Sequence, residues 1–428
     1  MPLDYPIHER ILDNGLRVIV SPDSTVPNVT VNIWVGVGSR HEVPGRTGLA
    51  HLFEHLMFQG SRNVASGEHF EALMAVGGRL NATTWFDRTN YFETVPKGAL
   101  DLAMWLEADR HGHLLDAVTQ VNLDNQRDVV KEEKRQRYDN QPYGDALIEL
   151  YAATFPPEHP YHHATIGSMD DLDAATLADV HAFFRAHYGP NNTVLTLCGD
   201  VRPEQGFASA ERYFGGLTPL TLGPDPAPAP LGPLEMPVEV DLVRGVPNDR
   251  VQIGFRLPVD GTAEFHAGAL ALDALGGLAS SRLSRRLVRA EHTALSVHAA
   301  AWGLIGGNSL GLLGIDLAPG ADVAHIDEVV AAELDAFAQS GPTAVELEAS
   351  LAQAERGWLR ALASQEERAD LLSQHALLLG DPHRVNTFLD ELAALTADDV
   401  REAAAYWLRP QARAIVRHLV AGDREDAA

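Results

Sequence analysis

The chain has 428 residues, with 33 Lys and Arg against 59 Asp and Glu and a formal net charge of −26 at pH 7. No basic stripe stands against a phosphate backbone, so nucleic-acid binding is disfavoured. The length is too great for one core and suits two or three domains, and no apolar run is long enough to span a bilayer.

Met1 to Tyr5 has no basic or apolar leader, so the expected compartment is cytoplasmic, with the periplasm or secretion open if a signal peptide was removed. The single cysteine, Cys198, excludes an intramolecular disulfide. It ends the strand-like run Thr193–Cys198 and reads as core rather than nucleophile. A strongly acidic chain attracts basic ligands, although solubility alone also explains the charge.

In chain order, Leu16–Val20 and Val29–Val35 read as a strand pair, the first started by the turn Asp13-Asn14-Gly15. A helix bounded by Thr47 as N-cap and Gly60 as C′ follows. Phe70–Met74 reads as helix and Gly77-Gly78 stops it. Arg79–Phe86 and Thr89–Val95 read as a hairpin around Asp87-Arg88. Residues 98–112 and 118–139 read as helices, and 142–168 as irregular, with a histidine-rich patch over Pro156–His163 taken as loop. A helix over 174–187 and a strand over 193–198 complete the first half.

The chemistry lies in His51-Leu52-Phe53-Glu54-His55. On a helix, His51 and His55 are one turn apart on one face and suit a single zinc ion. Glu54 borders that face and could take a proton from a zinc-bound water. This is the inverted zinc-peptidase pattern H-x-x-E-H. Two imidazoles with a carboxylate suit zinc, and also Mn²⁺ or Co²⁺.

Residues 216–237 are rich in Gly and Pro and read as an extended linker between residues 1–215 and 238–428. The two parts look like copies. Val26-Pro27-Asn28 recurs as Val246-Pro247-Asn248, and Thr176, Asp179, Val180 and Pro190 recur as Thr396, Asp399, Val400 and Pro410, all at an offset of 220 residues. The expected fold is α+β: two homologous domains, each a mainly antiparallel sheet backed by helices. The second copy keeps an apolar helix near Ala267–Leu275 but has no histidine pair there.

A catalytic zinc needs a third protein ligand. In Val129-Val130-Lys131-Glu132-Glu133, Glu133 continues the apolar face of Val129 and Val130, whereas Glu132 falls on the polar side with Asp128. Glu133 is therefore the expected ligand.

These residues carry a family resemblance. Asn14–Val18, Gly36, Ser39, Arg40 and Glu42, the motif with Phe58 and Gly60, Gly77-Gly78, Asn81-Ala82, Thr89, Tyr91 and Arg127–Glu133 resemble the M16 (pitrilysin/insulinase-like) zinc metallopeptidases. The closest likeness is to short bacterial members similar to mitochondrial processing peptidase. The resemblance implies a processing-peptidase-like metallohydrolase fold, one zinc per chain bound by His51, His55 and Glu133, and Glu54 as general base. It implies an endopeptidase cutting short or unfolded peptides in a closed chamber. Asn81-Ala82 would lie on the sheet edge where the peptide adds as a strand, and Phe58 would line its pocket. Gln126 stands where relatives often carry an outer-shell Glu.

Many relatives also carry an Arg and a Tyr seven apart in the second half, and here those positions read Val288 and Leu295. Arg282 and Arg289 lie nearby and are expected to be surface or structural. The implied assembly is a dimer with a related zinc-less chain that supplies the pair, or else a homodimer. The rival functions are a non-catalytic assembly subunit and a metal-stabilised peptide-binding module.

Overall fold

The computed structural model describes residues 3–421, apart from 224, 225, 227 and 228. Its first sheet holds β1 (His8–Ile11), β2 (Arg17–Pro22), β3 (Asn28–Val35), β4 (Arg79–Thr84), β5 (Thr89–Pro96) and β6 (Thr193–Gly199). The order is β1-β2-β6-β3-β5-β4. Only the β2–β6 pair is parallel. β6 is buried along its whole length and β3 along nearly all of it, as their continuous apolar and β-branched runs require. β4 is an edge strand.

The second sheet holds β7 (Val238–Arg244), β8 (Arg250–Leu257), β9 (Ala294–Trp302), β10 (Ser309–Leu317) and β11 (Ala414–Val420) in the order β7-β11-β8-β10-β9. Again one pair, β7–β11, is parallel. The fold is α+β, with mainly antiparallel sheets backed by helices. Among the described residues of 216–237 there is no helix or strand.

The chain divides into two compact units that are not contiguous in sequence. One comprises Met1–Glu132, Thr165–Pro226 and Gly357–Phe388; the other comprises Glu133–Ala164, Ala227–Arg356 and Leu389–Ala428. A cut at the linker follows the sequence repeat, while the packing follows these exchanged segments. In the first unit, helix Gln365–Leu378 covers one face of the sheet, where Leu372 and Ala376 pack on Ile19, Trp34 and Val194. Its Arg368 donates to Cys198 Sγ at 3.2 Å and to Asp23 Oδ2 at 2.5 Å. Cys198 is fully buried at this contact, within the core.

In the second unit, helix Ala146–Thr154 lies on β8 and β11. Gly254 permits its approach, since a Cβ there would come within 2.4 Å of Thr154 Oγ1. This helix corrects the irregular reading of 142–168. The flanking Pro142 and Pro156 mask the short apolar run Ala146–Tyr151, whose helix is stabilised by packing on the sheet rather than by its length. The histidine patch that follows is loop. His159 Nε2 lies 3.1 Å from Ala229 O, and His162 Nδ1 lies 2.7 Å from Phe155 O.

The repeated residues turn out to be fold-bearing. Thr176 and Asp179 form a reciprocal capping box at helix Leu177–His187, and Thr396 and Asp399 form the same box at helix Ala397–Trp407. Val180 and Val400 are both buried beneath them.

Candidate active site

The motif forms helix Leu49–Leu56. Leu49, Ala50, Leu52, Phe53 and Leu56 are buried, and Phe53 packs its ring against Phe184 and Tyr188, with centroids 5.8 and 4.5 Å apart. His51, Glu54 and His55 occupy the other, half-buried side, with the two imidazole centroids 4.9 Å apart.

The helix start differs from the expected Thr47 cap. Gly48 takes φ +89°, and a Cβ at Gly167 would meet Gly48 Cα at 2.3 Å, so both positions need glycine. Turned away by this kink, Thr47 donates from N and Oγ1 to Asp171 Oδ2 at 2.9 and 2.7 Å. The capping group is Glu42, whose carboxylate accepts from Gly48 N at 2.9 Å and Ala50 N at 2.8 Å. A carboxylate there also complements the helix dipole.

The third expected ligand lies on helix Gln120–Lys134, which ends in a π-helical turn, Arg135–Asp139. Arg127 donates to Leu172 O at 2.8 Å and Ala175 O at 2.7 Å, and Lys131 pairs with Asp173 at 2.7 Å. The segment Asp171–Ala175 thus tethers this helix as well as the start of the motif helix. Val130 is buried but Val129 is 45% exposed, so the apolar face that pointed to Glu133 is narrower than its sequence suggests. Glu133 is nevertheless half-buried while Glu132 is exposed. The ligand atoms of His51, His55 and Glu133 all lie within 4.8 Å of one another. Arg137 holds Glu133 Oε1 at 2.7 Å from an exposed position. Two imidazoles and one carboxylate converging at this spacing fit a zinc ion with one open position.

Beside the motif helix runs the edge strand β4. Asn81 is exposed and Ala82 buried. The register places Thr84 opposite Thr89, and Trp85 N donates to Arg88 O at 2.9 Å. This bond fixes the parity of the hairpin, so the main-chain groups of Leu80, Ala82 and Thr84 turn away from β5. The Thr84 hydroxyl donates to Glu54 Oε2 at 2.5 Å. Arg88 bonds the Thr83 carbonyl at 2.9 Å, and a buried Arg40–Asp87 ion pair of 2.8 Å anchors the turn.

Phe58 is enclosed by the rings of His69, Phe70 and Tyr91, with the Arg110 guanidinium 4.5 Å from its centroid. Behind it lies a buried charged cluster. Arg110 pairs with Glu107, and acceptor or donor atoms of His69, Glu93 and Glu107 lie within 4.8 Å of one another. Burial, then the Glu107 charge, hold the Glu93 carboxyl well above its ordinary value. Burial alone would raise Glu107 as well, but Arg110 and the two imidazoles bring it below the usual range. Burial depresses His69 to about 3 and His111 to about 4, with Arg110 adding to both. At neutral pH the cluster therefore carries a Glu107–Arg110 ion pair and two neutral imidazoles, with the Glu93 carboxyl biased towards its protonated form.

Gln126 is half-buried, two turns before Glu133 on the same helix. In the second unit, Val288 packs against the hydrophobic core and Leu295 is 54% exposed on β9. Arg282 is structural, bonded to both oxygens of Glu346 at 3.0 and 2.8 Å, while Arg289 is exposed. Sequence reasoning missed Glu42 as the cap, Thr84 as the partner of Glu54, and the buried cluster. Glu42 alone left a signal, as an acid shortly before the motif helix.

Residues 17–167 match the family described as Insulinase (Peptidase family M16), and residues 174–354 match the Peptidase M16 inactive domain. An uncharacterized zinc protease of Mycobacterium leprae is 30% identical over 92% of this chain and 87% of its own length. The chain belongs to peptidase family M16. The zinc protease PqqE of Helicobacter pylori is 34% identical over 64% of this chain, an alignment that spans 61% of that protein. A crystal structure of a protease from Helicobacter pylori superposes with a TM-score of 0.89 at 27% identity, covering 97% of this chain and 99% of that one. No helix among the described residues is long and apolar enough to cross a membrane.

Proposed function

We propose that this M16 chain is a zinc-dependent endopeptidase acting on short or unfolded peptides. The observation that carries the reading is the convergence of His51, His55 and Glu133 beside Glu54. These three residues would hold one zinc ion, which when bound polarises the scissile carbonyl and acidifies the attacking water. The outward main-chain groups of Leu80, Ala82 and Thr84 pair with the substrate backbone, which selects extended peptide without demanding a sequence. Asn81 and Ala82 belong to this strand, and Phe58 lines the pocket beside it. Glu54 removes a proton from the attacking water as its oxygen bonds to the scissile carbonyl carbon, then delivers that proton to the amine nitrogen as the peptide C–N bond breaks. Gln126 supports Glu133 from the same helix face as a neutral hydrogen-bonding group.

With Val288 and Leu295 at the positions where relatives carry Arg and Tyr, the polarising pair comes from a second chain. We propose a dimer with a related zinc-less chain that supplies the pair, with a homodimer using other oxyanion donors as the rival. Native mass spectrometry of protein from its own cells separates them, and a dimer of a single mass contradicts the mixed assembly. The function itself is tested by Glu54→Gln, which should keep zinc and lose peptide cleavage. Full cleavage by that variant overturns the assignment.

A further inference from the structure

We propose that Thr84 is the positioning residue for the general base, joining the substrate-binding strand to Glu54 through one hydroxyl. The inference rests on the peptidase function proposed above and deepens it. Thr84 has two faces in this structure. Its main-chain groups point away from β5, towards the edge where a peptide would pair. Its side chain points to the motif helix and donates to Glu54 Oε2 at 2.5 Å. A hydrogen bond to a charged carboxylate contributes more than one between neutral groups, and it constrains the rotamer of Glu54.

The position of Thr84 is itself rigidly defined. It immediately precedes the Trp85–Arg88 turn, and that turn is tied at several points. Ser39 N donates to Trp85 O at 3.2 Å and Arg40 N to Phe86 O at 2.9 Å. Arg40 and Asp87 form their ion pair with both side chains at 5% exposure or less. Arg88 reaches back to the Thr83 carbonyl and to Asn90 Oδ1 at 3.2 Å. The segment holding Ser39 and Arg40 continues to Glu42, which caps the motif helix. The strand end and the helix carrying Glu54 are therefore braced to the same loop, and the Thr84 hydroxyl closes the frame at the base. A peptide pairing with β4 would be held in register with Glu54 by one residue.

In this arrangement Thr84 touches the base and not the reacting atoms. Removing the hydroxyl should leave substrate pairing intact, because that pairing uses the main chain, and should slow the proton transfer. The test uses the full-length zinc-loaded chain and a quenched fluorescent peptide that it cleaves. Thr84→Val is expected to lower kcat roughly 10- to 100-fold with KM changed less than about twofold. Thr84→Ser, which restores the hydroxyl, should recover most of the loss, and zinc content should be equal in all three proteins. A Thr84→Val enzyme with wild-type kcat overturns the proposal. So does a loss that Thr84→Ser fails to recover, since that assigns the effect to the strand and not the hydroxyl.

A second measurement needs no activity. In metal-free protein, the change in melting temperature caused by Thr84→Val should be present beside Glu54 and absent in a Glu54→Ala background. Equal changes in both backgrounds overturn the contact. Coupling in a chain that cleaves no peptide overturns the peptidase function while the contact stands, so the two failures are distinguishable.

Discussion

In the first sheet, the order β2-β6-β3-β5-β4 ends on an edge strand beside a helix bearing His51, Glu54 and His55. The second sheet repeats that order as β7-β11-β8-β10-β9, but its helix Ala263–Leu272 and the turn extending it carry Ala271, Ala274 and Leu275 at the positions 220 residues on. All three are buried to 2% exposure or less. The capping boxes, the buried valines and the strand order persist in both copies, because each is needed to make the fold. The polar triad exists in one copy only, and in the other its place is filled by core. Shared architecture thus belongs to the fold, and chemistry belongs to particular side chains.

The copies are alike in a further way. Each unit covers one face of its sheet with a helix from the opposite half of the sequence, Gln365–Leu378 in the first and Ala146–Thr154 in the second. The most severe way to break this comparison is to express residues 1–226 alone. Without Gln365–Leu378, the face bearing Ile19, Trp34 and Val194 is bare, and the fragment should be insoluble or molten. A soluble fragment with a cooperative melting transition would contradict the exchange.

Next in size is the base. Glu54→Gln should reduce kcat by about 10²- to 10⁴-fold, measured by peptide hydrolysis at saturating substrate. Its counterpart, Ala274→Gly, should leave KM unchanged and act only through stability.

The buried cluster behind Phe58 should separate its two acids. Glu107→Gln leaves the Arg110 cation buried without its counter-charge and should cost about 3–5 kcal/mol in urea unfolding. Glu93→Gln introduces a neutral amide where burial disfavours the carboxylate, so it should cost far less than Glu107→Gln and be better tolerated at pH 7 than at pH 4. The pH dependence has opposite signs. Glu93 is raised, so its contribution is complete below the ordinary value of 4.5 and is lost as pH rises through the raised value. Glu107 is lowered, so its contribution is present above 4.5 and is lost as pH falls below it. Glu93→Gln should therefore flatten the fall of the melting temperature above pH 4.5.

The smallest effects should be matched ones. Thr176→Ala and Thr396→Ala remove equivalent caps, and each should cost about 1 kcal/mol. A large disparity would show that the two copies use the box differently.

Much of this was legible in the sequence because it is written in local spacing. The i, i+4 histidines, the apolar face of the motif helix, the strand alternation and the constant offset each survive without tertiary information. The exchanged helices were not legible, since nothing in Ala146–Thr154 says which sheet it covers. Glu42 was passed over because a cap seven residues before the first helical residue depends on a loop conformation set by Gly48. Thr84 and the Glu93–Glu107–Arg110 cluster were hidden because their partners lie on other elements, brought together only by strand register.

The central claim is that the first copy holds one metal and the second holds none. Metal content of the purified full-length chain, beside His55→Ala and Glu133→Ala, tests it most directly. The account predicts one zinc per wild-type chain and loss or marked weakening of zinc binding in both variants. A wild-type chain with no zinc after reconstitution, or variants that keep it fully, would contradict the account.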